Sequence, residues 1–218
     1  MKTTVFFDLD GTLTDSRMGI LTGMATALTA LGVKTSPEEL DDRIIGPPLY
    51  DSFRSLYGLS EAASRRGVEL YREYYAREGL FVNKVYDGVP EMLSRLASAG
   101  LRLAIATGKP HVYARRIAKH LGLPFADGDV FGIEFDGTRG DKGELLAYAM
   151  EQLALSPYEC LMVGDRLYDI QGAHTAGITP LGVLWGYGSR EELIGAGATH
   201  LAATPGEAAE HLLRLSKE

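Results

Sequence analysis

Five short apolar runs, at 4–9, 101–107, 160–164, 178–185 and 198–202, constrain this chain more than any other feature of its sequence. Each is too brief for a helix and rich in β-formers, and the first, Thr4-Val5-Phe6-Phe7-Asp8-Leu9, carries an acidic residue one place from its end. Between them lie segments with helical punctuation. Residues 88–99 carry Pro90 early and stop at Gly100, the expected asymmetry of a helix. In 142–153, apolar residues recur at 145, 146, 149, 150 and 153, a stripe of 3.6-residue period. Ser189-x-x-Glu192 and Thr204-x-x-Glu207 are capping-box starts, the second with Pro205 at the first helical position. Strands that alternate with helices must lie parallel, in a doubly wound α/β sheet covered on both faces.

One stretch interrupts this alternation. From 17 to 83 no strand pattern appears. Ile20, Met24, Leu28 and Leu31 form one helical stripe ending at Gly32. Ser36-Pro37-Glu38-Glu39 is a capping box expected to start a second helix, and 49–57 and 60–78 read as two more, stopped by Gly58 and Gly79. Four helices between the first strand and its successor make a small helical domain at 17–83, inserted into an α/β core of 1–16 and 84–218.

A length of 218 residues can bury a sizeable core plus such an insertion. No apolar run approaches the roughly 18 residues of a membrane span. The first residues reach an aspartate by position 8, so they are not expected to act as a secretory leader. The single cysteine, Cys160, excludes an intrachain disulfide framework, sits in an apolar run suited to packing, and fits a reducing cytoplasm. A net charge of −7 argues against a nucleic-acid polymer or an anionic membrane as main partner. It does not argue against a small phosphorylated metabolite, which responds to a few lysines and a metal. The histidines at 111, 120, 174, 200 and 211 lack the close pairing of a zinc site. Monomer and homodimer both remain open.

Ligands of doubly wound sheets bind beyond the carboxyl ends of the strands. The first run leads there into Asp8-Leu9-Asp10-Gly11-Thr12, and residues two apart on a strand point the same way. Asp-Gly is also an ordinary turn pair, which accounts for one aspartate but not for one closing a buried apolar strand. The second run ends in Thr107-Gly108-Lys109-Pro110, a hydroxyl followed by backbone N–H groups at a helix start, suited to cradling phosphate. Lys142 opens the 142–153 helix, where a lone surface lysine is the alternative. Gly164-Asp165-Arg166-Leu167-Tyr168-Asp169 follows the third run and supplies hard oxygen ligands of the kind Mg²⁺ prefers.

In this order, Asp-x-Asp-Gly-Thr, a strand-terminal Thr, a Lys and Gly-Asp-x-x-x-Asp resemble the four motifs of the haloacid dehalogenase superfamily, and the resemblance extends over essentially the whole chain. It implies a Rossmann-like core, with 17–83 as the helical cap. It further implies that Asp8 is the nucleophile and Asp10 the general acid and base. Mg²⁺ would be held by Asp8, the carbonyl of Asp10 and Asp165, with Asp169 direct or through water. Thr107, the Gly108 N–H and Lys142 would hold the phosphate. Dehalogenase members lack a carboxylate at the position of Asp10, and transport ATPases carry Thr there, so the resemblance implies phosphate-ester chemistry.

Ile45-Gly46-Pro47-Pro48-Leu49, 136–142 and Gly186-Tyr187-Gly188 look like the phosphoglycolate phosphatase and 5′-nucleotidase branch. Gly143 departs from the Lys-Pro of many phosphoglycolate-type members and favours the nucleotidase side. Arg43, Gly46, Pro47 and Tyr50, around the double proline, are the candidates for substrate specificity, against a plain helix–helix connection. A phosphomutase of the β-phosphoglucomutase type shares every core motif and is the enzymatic alternative. A silent binding module is the non-enzymatic one.

Overall fold

The computed structural model describes all residues 1–218. In chain order its elements are β1 (Thr4–Phe7), β2 (Thr14–Asp15), α1 (Arg17–Ala30), α2 (Leu49–Ser55), α3 (Glu61–Arg77), β3 (Lys84–Val85), α4 (Val89–Ser98), β4 (Arg102–Pro110) and α5 (His111–His120). There follow β5 (Val130–Ile133), α6 (Lys142–Gln152), β6 (Cys160–Gly164), α7 (Leu167–Thr175), β7 (Thr179–Val183), α8 (Arg190–Gly195), β8 (Leu201–Ala202) and α9 (Pro205–Leu215). The chain separates into two compact units, Met1–Asp15 with Val85–Glu218, and Ser16–Lys84.

The first unit holds a six-stranded sheet of order β5-β4-β1-β6-β7-β8, parallel throughout. Both neighbours of β1 come much later in the chain, with Phe7 opposite Ile105 on one side and Val163 on the other. β1 is therefore central and fully buried, which is why it reads as a continuous apolar run rather than an alternating one. On one face Phe6, Ala104, Ala106, Cys160 and Met162 pack against Leu145, Leu146, Ala149 and Met150 of α6 and Ala173 of α7. Val5, Phe7, Leu161 and Val163 point to the opposite face, where α4 and α9 pack together. Burial pushes the Cys160 thiol up to about 12, so it stays a neutral packing group.

The sequence misses β5, a four-residue strand containing Gly132, along with helix α7; the helix start expected after 107–110 is that of α5. It also overextends β1, which stops at Phe7, and shortens β4, which runs on to Pro110.

The second unit contains three α-helices, not four. The capping box at Ser36 and Glu39 forms, but it closes only the 3₁₀ turn Pro37–Glu39, after which Leu40 is extended. A capping box satisfies the first orphan N–H groups; it does not supply the apolar stripe that propagates a helix. Within this unit α1 packs on α3, Gly19 lies against the Gly79 carbonyl, and Phe53 of α2 rests on Gly67. No helix of the protein is long and apolar enough to cross a membrane.

Candidate active site

Asp8 follows the last residue of β1, and its N–H still donates to Val163 O at 2.9 Å, so the ladder to β6 holds its backbone. Its Oδ1 lies 2.8 Å from Lys142 Nζ. Lys142, the first residue of α6, also donates to Ala106 O of β4 at 2.9 Å and reaches Asp169 Oδ1 at 2.7 Å. A lysine ammonium has three donors, and all three are engaged. Asp169 sits in the first turn of α7, where its Oδ2 accepts from Arg166 N. Asp165, completely buried beyond β6, accepts from Thr12 Oγ1 at 2.9 Å and from Tyr187 N at 2.9 Å.

Sequence patterns assign no role to Thr12 or Tyr187. Both act through backbone reversals that periodicity does not reveal. After Asp10 the chain turns back on itself, with Leu13 N and Thr14 N donating to Leu9 O. Gly11 makes that turn at φ +87°, and a Cβ there would stand 2.2 Å from Asp165 Oδ2. Across the site, Trp185 Nε1 donates to Thr12 O at 3.0 Å. The following loop passes so close that a Cβ on Gly188 would lie 1.9 Å from Asp165 O. Glycine is required at 188 by crowding against backbone, not by torsion.

Asp10 behaves differently from Asp8. Its Oδ2 pairs with Lys109 Nζ at 3.0 Å, while its buried Oδ1 accepts no hydrogen bond. Lys109 is the other residue to which sequence patterns give no role, although it is buried near the end of β4, as Thr107 is. Thr107 Oγ1 accepts from Lys109 N at 3.3 Å, and Gly108 between them is exposed and uncrowded. In the second unit, Arg43 belongs to the 3₁₀ turn Asp42–Ile44 and pairs with Asp41 at 3.0 Å. Gly46 takes φ +112°, Pro47 is half-buried, and the Tyr50 ring lies beneath the guanidiniums of Arg54 and Arg65.

Ligand oxygens of Asp8, Asp165 and Asp169 lie within 4.8 Å of one another, all three residues buried, and could hold a metal ion. The Asp10 side chain stands outside this trio. Burial, reinforced by Asp169 and Asp10 and only partly offset by Lys142, pushes the Asp8 carboxyl up to about 6. Burial likewise holds Asp165 well above the usual carboxylate range, with Asp169 and Asp8 adding to it. Burial opposes the charge of Lys142, but Asp169 and Asp8 outweigh it and raise the ammonium above the ordinary lysine range. Three buried carboxylates thus lie together, and the one cation at the trio, Lys142, pairs with two of them, Asp8 and Asp169. That excess of hard oxygen donors fits a small divalent ion better than it fits an empty core.

A family model described as haloacid dehalogenase-like hydrolase matches residues 2–177. A 5′-nucleotidase of Pseudomonas aeruginosa is 41% identical over 199 residues, 91% of this chain and 90% of the relative. Tyrosine-protein kinase PtkA of Mycobacterium tuberculosis is also 41% identical, over 184 residues, 84% of this chain but only 62% of that protein. The crystal structure of a predicted phosphatase from Clostridium acetobutylicum superposes with a TM-score of 0.91 at 36% identity, covering 98% of this chain and 99% of the other.

Proposed function

This chain belongs to the haloacid dehalogenase-like hydrolase family, a phosphatase by its relatives, and on that premise we propose that it is a magnesium-dependent phosphomonoesterase working through a phosphorylated Asp8. The observation that carries this reading is Lys142 Nζ bridging Asp8 at 2.8 Å and Asp169 at 2.7 Å beside buried Asp165. Asp8 attacks phosphorus as the ester P–O bond breaks, and the leaving oxygen keeps the electron pair and takes a proton from Asp10. Water then attacks the aspartyl phosphate and gives its proton to Asp10. The P–O bond to Asp8 breaks, inorganic phosphate leaves, and both carboxyls return to their starting state. Thr107 and the Gly108 N–H hold phosphate oxygens. Lys142, its donors already engaged, acts chiefly as a fixed positive charge that offsets the repulsion between Asp8 and the phosphate.

Asp8, Asp165 and Asp169 would hold Mg²⁺, together with the carbonyl of Asp10. When bound, the ion supplies charge neutralisation for the approach of an anionic nucleophile to an anionic ester.

Mononucleotides are the proposed substrates ahead of phosphoglycolate, on the strength of the 5′-nucleotidase relative. Gly143 carries less weight here than its place in the motif implies. A Cβ at that position would meet Thr175 Cγ2 of α7 at 2.9 Å, so the glycine answers to helix packing. Residues 17–83 act as the cap, with Arg43, Gly46, Pro47 and Tyr50 sorting substrates; the single buried thiol suits the cytoplasm.

The deciding assay is phosphate release from a generic aryl phosphate with Mg²⁺, with EDTA, and in Asp8→Asn, followed by a panel of mononucleotides, phosphoglycolate and sugar phosphates. Loss of release under chelation and in the variant is expected. Activity that survives both rules out the mechanism; sugar-phosphate isomerisation without net release marks a mutase.

A further inference from the structure

We propose that Lys109 is a positioning residue for the acid and base Asp10, fixing which of its two carboxyl oxygens meets the leaving group. The inference rests on the phosphatase reading above and goes beyond it. The two oxygens of a carboxylate are equivalent by resonance, and a free carboxyl can exchange them by rotating about its Cβ–Cγ bond. In this site they are made unequal. Lys109 Nζ holds Oδ2 at 3.0 Å, with the lysine side chain 7% exposed and the aspartate 15%. Oδ1 is buried and accepts no hydrogen bond. A buried acceptor left open is costly and calls for a functional account. An oxygen left without a partner, and so able to carry the proton that the acid and base role requires, supplies one.

The tether is itself held in place. Lys109 N donates to Thr107 Oγ1, and the neighbouring strand carries glycine at 132, where a Cβ would stand 2.3 Å from Lys109 O and 2.8 Å from His111 N. The backbone bearing Lys109 therefore rests directly on β5. Each carboxylate of the Asp8-Leu9-Asp10 segment thus faces a different buried cation, Lys142 for the nucleophile and Lys109 for the acid and base. Support of this kind keeps a reacting group within the narrow geometry that proton transfer needs.

The test compares wild type, Lys109→Met and Lys109→Arg in the Mg²⁺-loaded protein, following phosphoenzyme formation by rapid quench on two substrates. p-Nitrophenyl phosphate has a leaving group that needs little protonation; a simple alkyl phosphate has one that needs it fully. If Lys109 positions Asp10, Lys109→Met slows the alkyl ester by about 100-fold and the aryl ester by less than about 10-fold, the scale of a mispositioned general acid. Lys109→Arg restores at least about 10-fold of the alkyl rate, and adding Lys109→Met to Asp10→Asn costs less than about 3-fold more, because the two residues act as one unit. Equal losses on both substrates, or full additivity with Asp10→Asn, overturn the proposal and make Lys109 a phosphate or packing group. A crystal structure of Lys109→Met tests the same point independently of turnover: an unmoved Asp10 carboxyl overturns it, a rotated one supports it. Should the methionine variant fold poorly by circular dichroism, Lys109→Gln takes its place in both arms. Absent turnover in wild type would defeat the phosphatase reading alone, and the variant's crystal structure would still decide the role of Lys109.

Discussion

Magnesium should stabilise this protein more at mildly alkaline than at mildly acidic pH, and the difference is set by Asp8. Burial places its carboxyl at about 6 against an ordinary 3.8, so between those values the folded chain holds a proton that the unfolded chain has lost. Stability from this group is therefore complete below the unfolded value and falls as pH rises through the folded one, by about 3 kcal/mol in all. Asp165 shifts in the same direction. A metal ion competes with that proton for the same oxygens. At about pH 8 Asp8 is ionised, and Mg²⁺ at roughly 100 times its dissociation constant adds about 2.7 kcal/mol. At about pH 5 the proton weakens apparent affinity on the order of tenfold, and the same concentration adds only about 1.4 kcal/mol. For a chain of this length these correspond to melting shifts of roughly 5–11 °C and 3–6 °C. The assay is a pair of thermal melts, with Mg²⁺ and with EDTA, at each pH. Taking the difference cancels the titration of the exposed carboxylates, which is common to both. A magnesium shift that is equal at the two pH values, or larger in acid, would refute the assignment of the buried trio as the metal site.

Lys142→Met leaves Asp8 and Asp169 without their shared cation, and should cost about 3 kcal/mol or more in denaturant titrations near neutrality, with part of the loss recovered in acid where Asp8 protonates. Thr12→Val removes the hydroxyl that donates to Asp165 and should weaken magnesium binding about 10–100-fold by calorimetry, with little change in turnover at saturating metal. Gly188→Ala drives a Cβ into the Asp165 carbonyl and should destabilise by about 1–3 kcal/mol while also weakening metal binding, measured by thermal melts and calorimetry.

How far the sequence discloses this site depends on what kind of signal each part leaves. Buried central strands and caps are local, so 160–164 reads as β6 itself and Thr204 and Ser189 do accept from the N–H groups of Glu207 and Glu192. β5 is short and edge-placed, and its Gly132 yields to the Lys109 backbone, a demand that comes from the neighbouring strand. The box at Ser36 looks like a helix start, yet it closes a 3₁₀ turn, because Leu40 after it is extended. Lys109 is hidden for a related reason. Its motif is read through the hydroxyl and the glycine before it, and only the approach of β1 to β4 reveals what its ammonium faces.

The arrangement of strands explains why four motifs spread from 8 to 169 can act together at all. The chain lays β1 first, then crosses to β4 on one side and β6 on the other, so the end of β1 is the point where the winding reverses. There the helices that follow neighbouring strands diverge and leave a crevice. Asp8 enters it from β1, Thr107 and Lys109 from β4, Asp165 from β6, and Lys142 from the start of α6. Convergence brings three carboxylates into a buried space with only Lys142 between them, a state that opposes folding at neutral pH. Replacing one of them with a neutral side chain would relieve that opposition in the metal-free chain and remove the charge that draws a divalent cation and steers phosphorus toward Asp8. The geometry that makes the site a candidate for catalysis is therefore the same geometry that makes it a weak point of the fold, and both follow from the position of β1 in the sheet.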